Sequence, residues 1–244
     1  MKRFLLLLIA LLITAGATEA AKKEIRMTAD RLSYDQSGRT VRLSGTVRFI
    51  CEDITLSGEN AIFNTRTKKG RIGGGVRITQ PGTVITGESM TVDYNATVAE
   101  MSGGVIITTT KDLVRKIRAQ GSTTPTTLMC KSLRYNWMTQ EGAAAGPVTV
   151  IQMDKRAYAD NAAYNGMAGI VTLTGNVRFE EGCNNWVDCK KAVLDLRNET
   201  FTALGSVTGN FLMDVSEKDT DKKSAAGKQP DKLIIPELPY ELWF

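Results

Sequence analysis

Apolar and polar residues alternate along most of this chain with a period of two, which predicts β-strands with one buried face. The alternation also repeats on a larger scale. The stretch LSGTVRF at 43–49 returns almost unchanged as LTGNVRF at 173–179. Such self-similarity indicates a structure assembled from copies of one unit.

Six copies of that unit align on an Asp or Asn that follows an apolar residue, and we call these residues the anchors. A glycine lies ten residues after each anchor, and a valine lies two residues after each glycine. The anchors are 29, 29, 43, 29 and 30 residues apart, which predicts three units, an insertion at 108–128 and three more units. The anchors are Asp35, Asn64, Asp93, Asn136, Asn165 and Asp195.

We expect the anchors to begin turns, because Asp and Asn side chains can bond the backbone two residues further on. A ladder of catalytic or calcium-binding carboxylates is the alternative interpretation. Half of the anchors are Asn and carry no charge, so the sequence favours turns.

A second small residue recurs six positions before each anchor, and it is expected to lie directly across from the glycine of the neighbouring strand. A glycine inside a strand often marks a sharp bend. Bends at one register would form a crease across the sheet, so the predicted fold is all-β: an open V-shaped sheet of six repeats of about 29 residues, each made of kinked antiparallel strands. The small residues are Ala29, Gly58, Gly87, Cys130, Ala159 and Cys189.

Composition argues against catalysis. The sequence has no histidine, which removes the commonest general base and the commonest metal ligand. The glycine run at 73–75 is superficially similar to a phosphate-binding loop, but it lies between β-type segments with no helix after it. We therefore predict that the protein is not an enzyme and uses no cofactor and no metal.

Net charge narrows the choice of partners only slightly. The formal value of +5 favours an acidic partner without selecting one. There is no run of Lys and Arg interleaved with aromatic residues that would indicate nucleic-acid binding, and none is expected.

The N-terminus predicts export. Lys2 and Arg3 precede an apolar run at 4–13, and small residues follow it, which is the pattern of a signal peptide at 1–20. The apolar run is too short for a membrane span, which needs about 20 residues.

The remaining chain divides by composition. Repeats one to three are expected at 25–107 and repeats four to six at 129–213. A charged linker follows at 214–232 and an apolar tail at 233–244. The tail could be a strand that covers the end of the sheet or a docking peptide for a partner.

Four cysteines in an exported chain suggest disulfides. Cys183 and Cys189 flank a turn and are predicted to pair. Cys130 and Cys189 lie two repeats apart, which exceeds the roughly 7 Å that a disulfide can span. Cys51 and Cys130 could pair or remain thiols.

The repeated sequence motifs resemble those of the lipopolysaccharide transport protein A (OstA-like) family. The resemblance is carried by ADRLSYD at 29–35, LSGTVRF at 43–49 and GESMTVD at 87–93, and it extends over about 25–213. It implies a V-shaped β-jellyroll that carries lipopolysaccharide across the periplasm between inner-membrane and outer-membrane transport components. It also implies head-to-tail association of copies through the open edge strands, near 25–34 and 207–213.

The same resemblance implies that the inner apolar face binds the acyl chains of lipopolysaccharide. Plain core packing is the alternative role for these side chains, and a non-catalytic structural or adhesive module of the cell envelope is the alternative function. The predicted groove consists of Leu32, Tyr34, Leu43, Val47, Phe49, Phe63, Ile72, Val76, Ile78, Met90, Val92, Met101, Val105, Ile107, Leu133, Tyr135, Val148, Val150, Tyr164, Leu173, Val177, Phe179 and Leu194.

Overall fold

One antiparallel sheet makes up the structure, a computed structural model that describes residues 25–37, 39–110, 125–182, 184–198 and 200–211. In that part of the chain, no helix is long and apolar enough to cross a membrane. The strands are β1 (Ile25–Thr28), β2 (Arg31–Asp35), β3 (Thr40–Cys51), β4 (Ile54–Asn64), β5 (Lys69–Gln80), β6 (Thr83–Asp93), β7 (Val98–Thr109), β8 (Thr126–Asn136), β9 (Glu141–Gln152), β10 (Lys155–Asn165), β11 (Ile170–Glu181), β12 (Asn185–Asp195), β13 (Thr200–Leu204) and β14 (Thr208–Asn210).

Each strand from β3 to β12 pairs with the strands before and after it in the chain, so the sheet runs up and down in sequence order. The two edges are each made of two short strands. β1 and β2 pair with opposite halves of β3, and β14 and β13 pair with opposite halves of β12. The edges do not pair with each other, so the sheet is open, as predicted.

All six anchors begin turns, which confirms the turn interpretation. The Asp35 carboxylate accepts the backbone N–H of Ser37 at 3.0 Å, and Asn64 Oδ1 accepts that of Arg66 at the same distance. The other anchors make equivalent bonds to backbone N–H groups two or three residues on. These contacts satisfy backbone donors that the turn removes from the sheet.

A β-bulge interrupts every long odd-numbered strand, from β3 to β11, at its repeated glycine. Between β3 and β4, Ser44 pairs with Asn60 and Val47 pairs with Gly58, so β3 carries one extra residue there. The bulge glycines have φ between +75° and +89°, a left-handed conformation that suits glycine. Because the bulges on these alternate strands share one register, they bend the sheet along one line, which is the predicted crease of the V.

One detail of the predicted register is wrong. The small residue before each anchor does not lie across from the bulge glycine. It lies across from the valine two residues later, as in the pairs Val47–Gly58 and Val76–Gly87. The extra bulge residue displaces the glycine, and equal counting from the hairpin turn cannot include it.

Two clusters of buried side chains line the inside of the bent sheet. The first runs from Leu43 to Val148 and the second from Ala159 to Leu194. Ala162 packs against both clusters, so the apolar interior follows the whole series of repeats.

Several predicted segments lie outside the described residues: the signal peptide at 1–20, the linker at 214–232 and the tail at 233–244. The insertion at 108–128 is described only at its ends, where β7 continues to Thr109 and β8 begins at Thr126.

Three of the four cysteines are described, and all three are buried in the sheet. Cys183 lies outside the described residues, so the Cys183–Cys189 pair stays a prediction. Five strand-to-strand steps of about 4.8 Å separate Cys51 on β3 from Cys130 on β8, a distance beyond the reach of a disulfide. Burial raises the pKa of the Cys130 and Cys189 thiols, which favours the neutral form of both.

Candidate functional site

The inner face is organised in rows that cross the strands at one register. Nearest the crease lies a row of valines, each with 0–2% of its surface exposed. Each valine faces a small residue on the next strand, and this leaves room for the two arms of the V to approach each other. The row consists of Val47, Val76, Val105, Val148 and Val177.

The other predicted groove residues differ in how far they are covered. A first group is buried: Leu43, Phe49, Ile72, Ile78, Met90, Val92, Met101, Leu173, Phe179 and Leu194. A second group is half-buried: Phe63, Ile107, Leu133, Tyr135 and Val150. A third group is exposed: Leu32, Tyr34 and Tyr164.

The interior is exposed at its N-terminal end. Leu32 and Tyr34 on β2 pair with Leu43 and Val41 on β3 and continue the same rows, yet they are 55% and 52% exposed. At the C-terminal end, Phe201 on β13 is half-buried and meets the Phe179 ring edge-on, with 4.9 Å between the ring centroids. The apolar surface is therefore open to solvent at one end and partly closed by an aromatic pair at the other.

Two tyrosines stand together at the rim of the interior, on either side of β9. Tyr135 on β8 and Tyr164 on β10 both pair with Gly142, and a side chain at Gly142 would contact both of them. Burial raises the pKa of Tyr135, and the neighbouring Tyr164 hydroxyl raises it further. Tyr135 therefore remains neutral near pH 7, and each of the two residues combines an apolar ring with a polar hydroxyl group.

The outer face of the crease carries a charged ladder that our sequence reasoning missed. Each member is exposed and stands against one of the repeated glycines, where a Cβ would collide with it or nearly so. Five of these glycines are the bulge glycines, and the sixth, Gly205, follows β13 and faces Lys190. The Asp30 carboxylate accepts the Thr46 backbone N–H at 3.3 Å, and Asp160 accepts the Asn176 amide at 2.9 Å. The ladder consists of Asp30, Glu59, Glu88, Lys131, Asp160 and Lys190.

A recurring signal for this ladder was present in the sequence, because a charged residue stands five positions before the anchor in all six units. Its role in the structure is to cover the backbone that the bulges expose. The signs are mixed, as expected of a structural role and not of a cation site. Within the described ranges, no group of three Cys, Asp or Glu residues is placed to hold a metal ion.

Charge at the turns stabilises the rim. The Lys69 ammonium lies 2.8 Å from the Asp93 carboxylate, and together with the Ala96 and Asn95 backbone N–H groups it holds the pKa of Asp93 below its ordinary value.

On β11 and β12, the Arg178 guanidinium contacts Glu180 at 2.6 Å and Asp188 at 2.9 Å, and it lies 5.0 Å from the centre of the Trp186 ring. These groups are at least partly exposed, and they brace the outside of the sheet.

Residues 55–200 match a family model described as "LptA/(LptD N-terminal domain) LPS transport protein". The chain belongs to this family of lipopolysaccharide transport proteins. The matched residues extend from β4 to the first residue of β13, so they include the second cluster of the interior and the part of the first that lies after Ile54. This match confirms the family that the repeated sequence motifs predicted.

One similar solved structure is that of LptH, described as the LptA homologous periplasmic component of the conserved lipopolysaccharide transport device from Pseudomonas aeruginosa. The two chains are 13% identical, the alignment covers 78% of this chain and 96% of that one, and the TM-score is 0.32. No curated protein matches this chain. We base the family assignment on the family model.

Proposed function

We propose that this member of the lipopolysaccharide transport family is exported to the periplasm and carries lipopolysaccharide between the two membranes, with its acyl chains shielded inside the V. One observation carries the proposal: an apolar interior follows all the repeats and is exposed where Leu32 and Tyr34 begin it. The sugar and phosphate part of the lipid would remain outside the rim.

Shielding is the physical requirement for such transport. Each exposed methylene costs about 0.8 kcal/mol in water, so a lipid with several acyl chains needs an apolar surface throughout its path. A sheet that is open along its rim can accept chains of different lengths, whereas a closed and filled core cannot.

The rows of the inner face differ in burial, and we assign them different roles. The valines beside the crease are fully buried and hold the two arms together. Half-buried side chains nearer the rim, such as Phe63 and Tyr135, remain partly open to an incoming chain. Acyl chains would therefore enter between the arms and replace contacts among the rim residues while the crease stays packed.

The edges supply a route for assembly with other transport components and with further copies. Within the described ranges, β1 with β2 at one end and β13 with β14 at the other each have one side that pairs with no other strand. Unpaired edges favour strand addition, and addition of one copy to the next would join their interiors end to end.

A structural module of the cell envelope is the second candidate, and the complete burial of the valine row favours it. Such a module needs a packed interior but has no use for acyl chains.

The binding of purified lipopolysaccharide to the exported chain separates the two candidates. The comparison ligand is the same lipopolysaccharide after chemical removal of its acyl chains. The carrier should bind the acylated form and lose most of that affinity for the deacylated form. Equal affinity for the two forms would contradict acyl-chain shielding, and binding of neither would favour the structural module.

A further inference from the structure

Strand β10 is unlike the other strands of the interior, because all of its inner positions below the rim are alanine. Ala157, Ala159 and Ala162 face inward, and Ala162 pairs with another inward alanine, Ala144 on β9. We call these four residues the alanine seam. At the equivalent positions, each other long even-numbered strand carries at least one larger aliphatic side chain: Leu56 on β4, Met90 on β6, Leu133 on β8 and Val187 on β12.

The seam coincides with the boundary between the two buried clusters. The first cluster ends with Ala144 and Val148 on β9, and the second begins with Ala159 on β10. Ala157 and Ala162 are only half-buried, although both face inward. The inward-facing side chains are therefore smallest where the two clusters meet.

The rim beside the seam is apolar as well. The turns before and after the β9–β10 pair present Met138 and Met167, which are 71% and 65% exposed, and Tyr164 at the end of β10 is 40% exposed. Both methionines lie two residues after an anchor. The equivalent turn positions of the other units are polar: Ser37, Arg66, Asn95 and Arg197.

We propose that the alanine seam is a subsite for acyl chains of lipopolysaccharide, with Met138, Met167 and Tyr164 forming its mouth. This inference rests on the proposed carrier function and states where in the interior the acyl chains bind. Ala144 and Ala159 are buried, whereas Ala157 and Ala162 are half-buried. Because leucine has three more carbons than alanine, the two half-buried alanines leave room that an acyl chain can fill. Methionine adapts to ligands of varied shape, which suits an entrance for flexible chains.

The test replaces alanines of the seam with a larger side chain. Ala157→Leu and Ala162→Leu each add a side chain where the proposal requires space, so the melting temperature should stay within about 2 °C of the original value. The affinity for purified lipopolysaccharide should fall about ten-fold or more, because the added side chain occupies the place of the acyl chain. Ala163→Leu is the matched control, since Ala163 is exposed on the same strand and should leave the affinity unchanged.

Two results would overturn the proposal and leave the carrier function standing. If both leucine variants lower the melting temperature by about 5 °C or more, the seam has no free space. If both bind lipopolysaccharide as the original chain does, the acyl chains lie elsewhere. Failure of the unaltered chain to bind lipopolysaccharide would instead remove the carrier function and this inference together.

Discussion

At the scale of single residues, the fold depends on the glycine that opens each bulge. Gly103 has φ +86°, and a Cβ there would lie about 2.4 Å from Cβ of Glu88 in the charged ladder. Gly104 is also left-handed, with φ +68°, but a Cβ there would meet nothing within 4 Å. In the fifth repeat, Asn176 occupies the position equivalent to Gly104 with φ +47°.

This difference predicts unequal effects for the same substitution at neighbouring positions. Gly103→Asn should lower the free energy of unfolding by about 2–3 kcal/mol, because it combines left-handed strain with a collision. Gly104→Asn should cost less than about 1 kcal/mol, since Asn tolerates this conformation and the space is open. Urea unfolding of the two variants measures both values, and equal losses would show that contact with Glu88 is irrelevant.

Residue types also set the limit of what the sequence predicts. The Asp and Asn anchors predicted the turns, and the repeated glycines predicted the crease, because each has a local cause in backbone conformation. The bulge offset was missed because it depends on how two strands pair and not on either strand alone. The charged ladder was missed although its signal recurs in every unit, because a mixture of acidic and basic residues does not suggest one chemical role.

At the scale of elements, the edge strands differ from the strands between them. Leu32 and Tyr34 on β2 are more exposed than their partners on β3, where Leu43 is buried and Val41 is half-buried, because no further strand of the described residues covers β2. The sequence pattern is the same on both, so exposure of Leu32 and Tyr34 follows from position in the sheet. Natural edge strands commonly carry inward charges that prevent addition of another chain. On β2, the inward positions Leu32 and Tyr34 are apolar.

Head-to-tail association predicts that a charge on β2 blocks assembly. Leu32→Lys should abolish concentration-dependent oligomers, because the next copy would have to bury the ammonium in the joined interior. Folding should be retained, since Leu32 is already 55% exposed.

Ser33→Lys is the matched control on the same strand, because Ser33 faces the opposite side of β2 and its charge would stay in water. Analytical ultracentrifugation over a wide range of concentration measures the assembly. Unchanged oligomers of Leu32→Lys, or equal loss for both variants, would argue against association through the inner rows of this edge.

At the scale of the whole molecule, the arrangement resolves two opposing demands. A stable domain must bury its apolar side chains, whereas a lipid carrier must keep apolar surface available. The bent sheet meets the first demand at the crease, where the valine row is buried, and on the proposed function it meets the second at the rim and the β2 edge. The number of strands sets how far the V extends along its axis, and the length of the strands sets how far its arms reach from the crease.

The most direct test of this account is site-specific photocrosslinking in cells that make lipopolysaccharide. A photoreactive amino acid replaces Phe63 or Tyr135 on the half-buried inner face, and Arg66 at an exposed turn serves as the control. Transport of acyl chains inside the V predicts lipopolysaccharide adducts at both inner positions and none at the turn. Folded, exported protein without an adduct at either inner position, or with equal adducts at all three, would contradict the claim that acyl chains travel inside the V.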